Sequence, residues 1–253
     1  MSTSPVALIT GASAGLGVDF ARQLAAKGRR LVLVARRKDR LEALAAELGS
    51  ARAVETDLCV AGAAERLMAD LAAHREHVDL LVNNAGFGLT GRFDQLDGKR
   101  QRQIIDLNCG ALTELAHAVL PGMIERKSGA ILNVASTAAF QPGPGMAVYF
   151  ATKAYVLSFS EALYEEVKRQ GVIVSALCPG PTATEFGQVA GFKPGGLPSK
   201  VAADSASVVR AGLEGLERGK AVVIPGLMNK STAQAHRFFP RSWVRRVAAR
   251  LKP

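Results

Sequence analysis

Short runs of aliphatic residues alternate with longer amphipathic segments along most of the chain. The runs are continuous rather than alternating, as in strands that are buried on both faces of a sheet. The intervening segments repeat apolar residues every three or four positions, which is typical of helices. The predicted strands cover residues 5–10, 31–35, 51–56, 78–82, 130–134, 172–177 and 221–224. The predicted helices begin after Gly17 and cover about 39–48, 61–73, 98–126, 149–170 and 200–217.

Strands that alternate with helices over short connections predict an α/β fold with a doubly wound, mostly parallel, seven-stranded sheet and helices on both faces. No internal repeat or linker interrupts the pattern, and 253 residues suit one large α/β domain. We therefore expect a single domain over residues 1–228 and a separate extension over residues 229–253.

The charge of the chain is unevenly distributed. The formal charge is +10, but residues 229–253 hold seven Lys or Arg and no acid, so that the rest of the chain carries only +3. The basic character belongs to the C-terminal extension. Neither an aromatic stacking platform nor a known DNA- or RNA-binding module accompanies it, and we expect no nucleic-acid partner.

Cys59, Cys109 and Cys178 stand far apart and have no histidine at metal-binding spacing. They are predicted to be core residues in a reducing compartment, and no metal site is expected. The first apolar run begins at Pro5, without a secretory leader before it, and no apolar stretch reaches the about 18 residues of a membrane span. We expect a cytoplasmic protein that at most attaches to a membrane surface.

A glycine-rich turn joins the first strand to the first helix. Its G-x-x-x-G-x-G spacing lets the backbone turn tightly and approach a ligand, and the N-terminus of the following helix favours a phosphate. Glycine also serves turns for conformational reasons alone, so the flanking strand and helix are the required context. The residues expected to contact a dinucleotide here are Gly11, Ser13, Ala14, Gly15, Leu16 and Gly17.

The second strand ends in Arg36 and Arg37 rather than in an acidic residue. An acid near this point of a dinucleotide-binding fold holds the ribose 2′-hydroxyl of NAD. A guanidinium suits the 2′-phosphate of NADP instead, and Ser13 can donate a further hydrogen bond to that phosphate. The alternative is a solvated arginine pair at the start of the next helix. We expect NADP(H) as the cofactor.

Tyr149 and Lys153 are four residues apart, a spacing that puts both side chains on one face of a helix. A free phenol titrates near about 10, and an ammonium group close to it is expected to lower that pKa. Such a pair can exchange a proton with a carbonyl or hydroxyl oxygen at neutral pH. The spacing alone is weak evidence, and by itself it favours an amphipathic tyrosine beside a solvated lysine.

From about Val6 to Ile224 the chain resembles the short-chain dehydrogenase/reductase family, which has a Rossmann-type fold. Phe150 departs from many members, which have a small residue there, and the tail beyond about residue 228 lies outside the common core. The motifs that carry the resemblance, in family order and spacing, are Thr10–Gly17, Asn83–Gly86, Asn108, Ser136, Tyr149-x-x-x-Lys153 and Pro179-Gly180.

The resemblance implies a role for each matching residue. Tyr149 gives or takes the proton at the substrate oxygen, and Lys153 lowers its pKa and holds the nicotinamide ribose. Ser136 holds the carbonyl, and Asn108 anchors a water of the proton relay. The further cofactor contacts that it implies are Asp57 and Leu58 at the adenine, Asn84, Ala85 and Gly86 at the adenosine ribose, and Pro179 and Thr182 at the nicotinamide.

The resemblance also implies an oxidoreductase that interconverts a carbonyl and a secondary alcohol, and Arg36, Arg37 and Ser13 favour NADP(H) as its cofactor. A homodimer or homotetramer is expected, through the helices at about 98–126 and 149–170. The alternative is a catalytically silent protein that binds NADP(H) as a sensor, but such a protein has no need of a complete proton relay. Residues 181–198, rich in Gly and Pro, are predicted to form a mobile lid. The apolar residues expected to wall the substrate pocket, which favour an apolar or lipid-like substrate, are Phe87, Phe140, Met146, Phe186 and Phe192. The alternative is that they are scattered core aromatics.

The basic extension is predicted to contain an amphipathic helix capped by Ser242. Its apolar residues are Trp243, Val244, Val247, Ala248 and Leu251, with Arg245, Arg246 and Arg250 on another face. Such a helix can lie in a membrane interface. Docking on the sheet of the same chain or on a neighbouring subunit is the favoured alternative, because the helix is short.

Overall fold

The strands of the protein form one parallel sheet in the order β3-β2-β1-β4-β5-β6-β7. The computed structural model describes residues 3–192, 202–235 and 238–250. The strands are β1 Ser4–Thr10, β2 Leu31–Ala35, β3 Ala51–Glu55, β4 Glu76–Asn83, β5 Gly129–Val134, β6 Val172–Leu177 and β7 Val222–Val223. The predicted doubly wound α/β fold of the Rossmann type is thereby confirmed.

The helices cover both faces of this sheet. They are α1 Leu16–Ala26, α2 Lys38–Leu48, α3 Ala63–Ala73, α4 Gly98–Ile105, α5 Leu112–Glu125, α6 Ala147–Val167, α7 Phe186–Val189, α8 Ser205–Glu217, α9 Leu227–Ala235 and α10 Arg241–Arg250. Single 3-10 turns occur at Phe93–Gln95, Thr137–Phe140 and Lys168–Gln170.

Two apolar cores lie on the two faces of the sheet, and β1 contributes to both. Leu8 packs into the core under α3, α5 and α6. The next residue, Ile9, packs into the core under α1, α2 and α8. Both side chains are fully buried, which explains why the strand is a continuous aliphatic run rather than an alternating one.

The strand order reverses next to β1. The chain first adds β2 and β3 on one side of β1 and then crosses to add β4 to β7 on the other side, so that Ile9 pairs with both Leu33 and Val82. The carboxyl ends of β1 and β4 therefore open into the crevice where open α/β sheets bind ligands. The candidate site lies at this edge.

The predicted helix over 98–126 is interrupted. Residues Asp106–Ala111 form a π-helical segment between α4 and α5, so the continuous α-helix expected there is wrong. Asn108 lies within this segment, and its side chain bonds to the backbone of Phe87. Short π-helical insertions re-aim side chains and frequently mark functional sites.

Helices α7 and α9 were not predicted, and further differences are at element ends. Helix α6 begins at Ala147 and gives way to a 3-10 turn after Val167. The predicted helix start at 200 lies outside the described residues, and α8 begins at Ser205. Residues 193–198 of the predicted lid also lie outside them.

The C-terminal helix α10 begins at Arg241, two residues earlier than the helix predicted after Ser242. Ser242 lies inside it and does not cap it, because the carbonyl of Pro240 accepts hydrogen bonds from the amides of Trp243 and Val244. Leu251 lies outside the described residues. Within the described part of the chain, none of the helices combines the length and the hydropathy that crossing a bilayer requires.

Candidate active site

A cavity of about 1480 Å³ opens at the carboxyl edge of the sheet. Most of the predicted site residues line it, whereas Gly17 and Asn108 lie behind its wall. The predicted residues in its lining are Gly11, Ser13, Ala14, Gly15, Leu16, Arg36, Arg37, Asp57, Leu58, Asn84, Ala85, Gly86, Ser136, Tyr149, Lys153, Pro179 and Thr182.

The glycine turn packs too closely for other residues. Gly11 has a φ of 66°, and a Cβ on Gly17 would lie 2.2 Å from the carbonyl oxygen of Gly11. Asn84 ties this turn to the end of β4, because its Nδ2 donates to the carbonyls of Thr10 at 2.9 Å and Gly11 at 3.2 Å. The turn therefore leaves its backbone open to the cavity, as a bound dinucleotide requires.

The two arginines after β2 have different surroundings. Arg36 is exposed, whereas Arg37 donates from Nε to the hydroxyl of Ser13 at 3.1 Å and from Nη2 to its carbonyl at 3.3 Å. The Ser13 hydroxyl accepts one hydrogen bond in this contact, and its own proton stays available to a phosphate. Both arginines line the cavity, and their recognition of a 2′-phosphate stays a prediction.

Tyr149 lies at the other end of the cavity, in the first turn of α6, and is only 9% exposed. Burial raises the pKa of its hydroxyl to about 12, and the hydroxyl of Ser136 opposes that shift. Ser136 lies after β5, where its Oγ accepts from the amide of Ala138 at 3.1 Å. The phenol is therefore protonated at neutral pH.

Lys153 lies beneath Tyr149, and its Nζ is 5.8 Å from the centre of the tyrosine ring. The ammonium group donates to the carbonyl of Val134 at 2.7 Å, and burial lowers its pKa to about 8. That Lys153 lowers the pKa of Tyr149 stays a prediction. The hydrogen bond with Ser136 lowers this pKa, and desolvation outweighs it.

Asn108 positions the backbone near Tyr149. Its Oδ1 accepts from the amide of Phe87 at 3.1 Å, and its Nδ2 donates to the carbonyl of Phe87 and to Thr152 Oγ1 at 3.0 Å. Thr152 in turn donates to the carbonyl of Tyr149 at 2.7 Å. The side chain of Asn108 is thus bonded to protein, and its part in a water relay stays a prediction.

The substrate end of the cavity is apolar. The five residues predicted to wall it, Phe87, Phe140, Met146, Phe186 and Phe192, all line the cavity. Phe186 packs against Tyr149 with ring centres 5.1 Å apart, and Phe192 packs edge-on against Phe186 at 6.2 Å.

Three residues that the sequence did not single out lie at the site. Thr152 stands between Tyr149 and Lys153 and is buried. Thr184 packs on the glycine turn, where its Cβ lies 3.0 Å from the position of a Cβ on Gly15. Glu185 forms ion pairs with Arg37 and Arg40. Only Thr152 had a local signal, since it belongs to the helical turn that carries the tyrosine and lysine.

Helix α9, from the predicted extension, also reaches the site. Asn229, Thr232 and Ala233 line the cavity, and Asn229 Nδ2 donates to the carbonyl of Pro225 at 2.8 Å. Within the described residues, no group of three or more His, Cys, Asp or Glu side chains is arranged to hold a metal ion.

The sequence profile of the family described as short chain dehydrogenase matches residues 5–192. The chain belongs to this family. The glycine turn is so closely packed that a Cβ on Gly17 would clash with it, and it fits the nicotinamide cofactor of a short-chain dehydrogenase. Membership of the family assigns the chain to one class of reaction, the interconversion of carbonyls and alcohols.

Individual relatives bear on the finer questions. Serine 3-dehydrogenase of Rhizobium radiobacter is 39% identical over 181 residues, which are 71% of this chain and 72% of that protein. Inactive hydroxysteroid dehydrogenase-like protein 1 of Homo sapiens is 36% identical over 186 residues, 71% of this chain and 56% of that protein. A solved short-chain dehydrogenase of Sphingobium yanoikuyae in complex with NADPH is 38% identical, covers 91% of each chain and superposes with a TM-score of 0.83.

Proposed function

We propose that this protein is an NADP(H)-dependent oxidoreductase that interconverts an apolar carbonyl compound and its secondary alcohol, with Tyr149 as the general acid and base. The observation that carries the proposal is that Tyr149, Ser136 and Lys153 share one cavity with the glycine turn and Arg36. Hydride and proton chemistry are thereby brought within one enclosed space.

The chain's own groups supply the proton and the orientation. A bound nicotinamide cofactor supplies the hydride. As negative charge builds on the substrate oxygen, the protonated hydroxyl of Tyr149 donates to it, and the hydroxyl of Ser136 holds the same oxygen. Lys153, fixed by the carbonyl of Val134, lies where it can stabilise the phenolate that is left. A phenol with a pKa of about 12 carries, at neutral pH, the proton that carbonyl reduction requires.

The aromatic wall supports an apolar substrate. Five aromatic or thioether side chains line the region around Tyr149, and burying apolar surface against them contributes about 25 cal/mol per Å² to binding. The NADPH complex of the Sphingobium relative supports the choice of NADP(H). The human relative is named as inactive, which supports the alternative that this protein binds NADP(H) as a sensor without catalysing a reaction.

Two further features are proposed for the whole protein. A homodimer or homotetramer is supported by Ile105 and Tyr155, which are 44% and 43% exposed on the helices expected to pair. Peripheral membrane contact through α10 is supported by the exposed Phe239 and Trp243 beside its arginines.

Tyr149→Phe tests the mechanism, because it removes only the hydroxyl. Against a panel of ketones, aldehydes and 3-oxoacyl thioesters with NADPH, we expect kcat/KM to fall about 100-fold or more, as for loss of a general acid. The affinity for NADPH should stay near that of the wild type. Tyr155→Phe is the matched control, since its hydroxyl bonds only to Thr113 at 2.8 Å among the described residues, and it should retain activity.

Each outcome separates the two candidate functions. Full activity of Tyr149→Phe would overturn the mechanism. A wild-type protein that binds NADPH tightly but oxidises it with none of the panel would favour the sensor.

A further inference from the structure

Three consecutive residues after β6 contact three separate parts of the site. Thr184 packs on the glycine turn next to Gly15. Glu185 reaches the junction of β2 and α2, and Phe186 packs against the ring of Tyr149. Residues 184–186 therefore connect the turn that receives the cofactor phosphates with the residue that transfers the proton.

The central contact is a bridge from one carboxylate to two guanidinium groups. Glu185 Oε2 accepts from Arg37 Nη1 at 2.9 Å, and Oε1 accepts from Arg40 Nη1 at 2.6 Å. We call Glu185, Arg37 and Arg40 the clasp. The two arginines hold the pKa of the Glu185 carboxyl below its usual value, so the clasp is ionised throughout the neutral range.

The clasp distinguishes the two arginines that follow β2. Arg37 has three nitrogens engaged, two with Ser13 and one with Glu185. Arg36 takes part in none of the ion pairs between described residues. Arg36 is thus the group with its donors available for a 2′-phosphate, whereas Arg37 links the glycine turn to residue 185.

We propose that Glu185 is a positioning residue that, through Arg37 and Arg40, holds residues 184–186 over the site and so retains whichever nicotinamide nucleotide is bound. This role of Glu185 rests on the proposed function only in that the cavity must bind the nicotinamide cofactor. A competing role for Glu185 predicts the opposite change in NADPH binding. If Glu185 merely occupied Arg37 in place of a 2′-phosphate, its removal would tighten NADPH and leave NADH unchanged.

Glu185→Gln tests the clasp, because it removes the charge and keeps the shape. The two pairs are about half exposed, with Glu185 at 41%, so each contributes modestly. We expect the dissociation rates of NADPH and NADH, followed by stopped-flow nicotinamide fluorescence, to rise by the same factor of about 3 to 10. Glu47→Gln is the matched control. Glu47 is 48% exposed and accepts two hydrogen bonds from Arg22, and its loss should leave both rates unchanged.

Two further measurements separate positioning from general destabilisation. In a double-mutant cycle, adding Arg40→Gln to Glu185→Gln should raise the dissociation rates of the nucleotides no further, since both substitutions break the same bridge. Hydrogen exchange of the protein alone, without nucleotide or substrate, should accelerate at residues 182–192 in Glu185→Gln and not in Glu47→Gln. The amides of Ala183, Ala190 and Phe192, hydrogen-bonded in this segment, report it.

The exchange measurement stands apart from catalysis, so it remains informative if the enzyme reduces none of the tested carbonyls. Exchange and dissociation rates equal to those of Glu47→Gln would overturn the proposal. A higher affinity of Glu185→Gln for NADPH, with an unchanged affinity for NADH, would also overturn it. That result would show that Glu185 competes with the 2′-phosphate for Arg37.

Discussion

Tyr149 shows at the scale of one residue how burial sets chemistry. The phenol of Tyr149 is almost fully buried and keeps its proton at neutral pH, because burial raises its pKa to about 12. Its neighbours have separate tasks. Ser136 opposes the upward shift, Lys153 is tied to Val134, and Thr152 fixes the backbone of the tyrosine itself.

The identity of these residues was predictable from sequence, but their energetics were not. The four-residue spacing of Tyr149 and Lys153 and the place of Ser136 after a strand identify these residues only when the other motifs of the family accompany them. The direction of the tyrosine pKa depends on how much of the ring the rest of the protein covers, and Phe186, which covers it, comes from a segment 37 positions later in the chain. A tertiary contact of that kind leaves no local pattern.

Arg36→Ala is the residue-scale test of cofactor choice. A charge-assisted hydrogen bond contributes about 1.5–3 kcal/mol, so the affinity for NADPH should fall about 10- to 100-fold while that for NADH changes little. Equilibrium titration of both nucleotides measures this. Arg210→Ala removes the same charge from an exposed position on α8 and should leave both affinities unchanged. A wild-type protein that binds NADH as tightly as NADPH would contradict the assignment to NADP(H).

At the scale of elements, the strands and the glycine turn were the most predictable parts. Continuous aliphatic runs identify buried parallel strands, and the G-x-x-x-G-x-G spacing identifies the turn. The π-helical segment at Asp106–Ala111 was not predictable, because the helical repeat of apolar residues continues on both sides of it. What holds this segment is the bonding of Asn108 to Phe87, a contact across 21 residues.

Gly17→Ala tests whether the glycine turn and α1 must approach each other this closely. The new Cβ would lie 2.2 Å from Gly11 O and 2.8 Å from Ala12 Cα, and backbone atoms cannot move aside cheaply. We expect a loss of about 1–3 kcal/mol in the free energy of unfolding, as for other overpacked sites, together with weaker nucleotide binding. Urea unfolding and nucleotide titration measure the two effects.

Gly98→Ala is the control for that substitution. A Cβ at Gly98, in the first turn of α4, would meet nothing within 4 Å. It should leave binding unchanged and raise stability by about 0.4–1 kcal/mol. Equal effects of the two substitutions would show that close approach at Gly17 is not required.

At the scale of the whole molecule, the C-terminal helices leave apolar side chains uncovered in the single chain. Leu227 and Met228 are 83% and 81% exposed at the start of α9, and Phe238 is 81% exposed just before α10. Trp243 stacks on the ring of Phe239 at 6.4 Å and is still 59% exposed. The sequence predicted an amphipathic helix here, but a periodic pattern cannot say which surface covers its apolar side.

Charge favours an anionic surface over another copy of this basic region. Residues 229–253 carry seven Lys or Arg and no acid, so two such segments would repel each other, whereas each basic residue near an anionic bilayer contributes about 1 kcal/mol. We expect the full chain to co-sediment with vesicles of phosphatidylserine and phosphatidylcholine at low salt and not with phosphatidylcholine alone.

The combined substitution Trp243→Ser and Val247→Ser tests which surface α10 uses. It should reduce binding to the anionic vesicles about 10-fold or more, because the aromatic and aliphatic anchors are lost while every arginine stays. The control is Val60→Ser with Phe93→Ser, two apolar residues 52% and 65% exposed elsewhere on the protein, and it should bind like the wild type. Sedimentation velocity of the same variants provides the contrary outcome. The contrary outcome is that the α10 substitutions dissociate an oligomer and that the wild type does not bind vesicles. In that case a neighbouring subunit, and not a membrane, covers the face of α10 that carries Trp243.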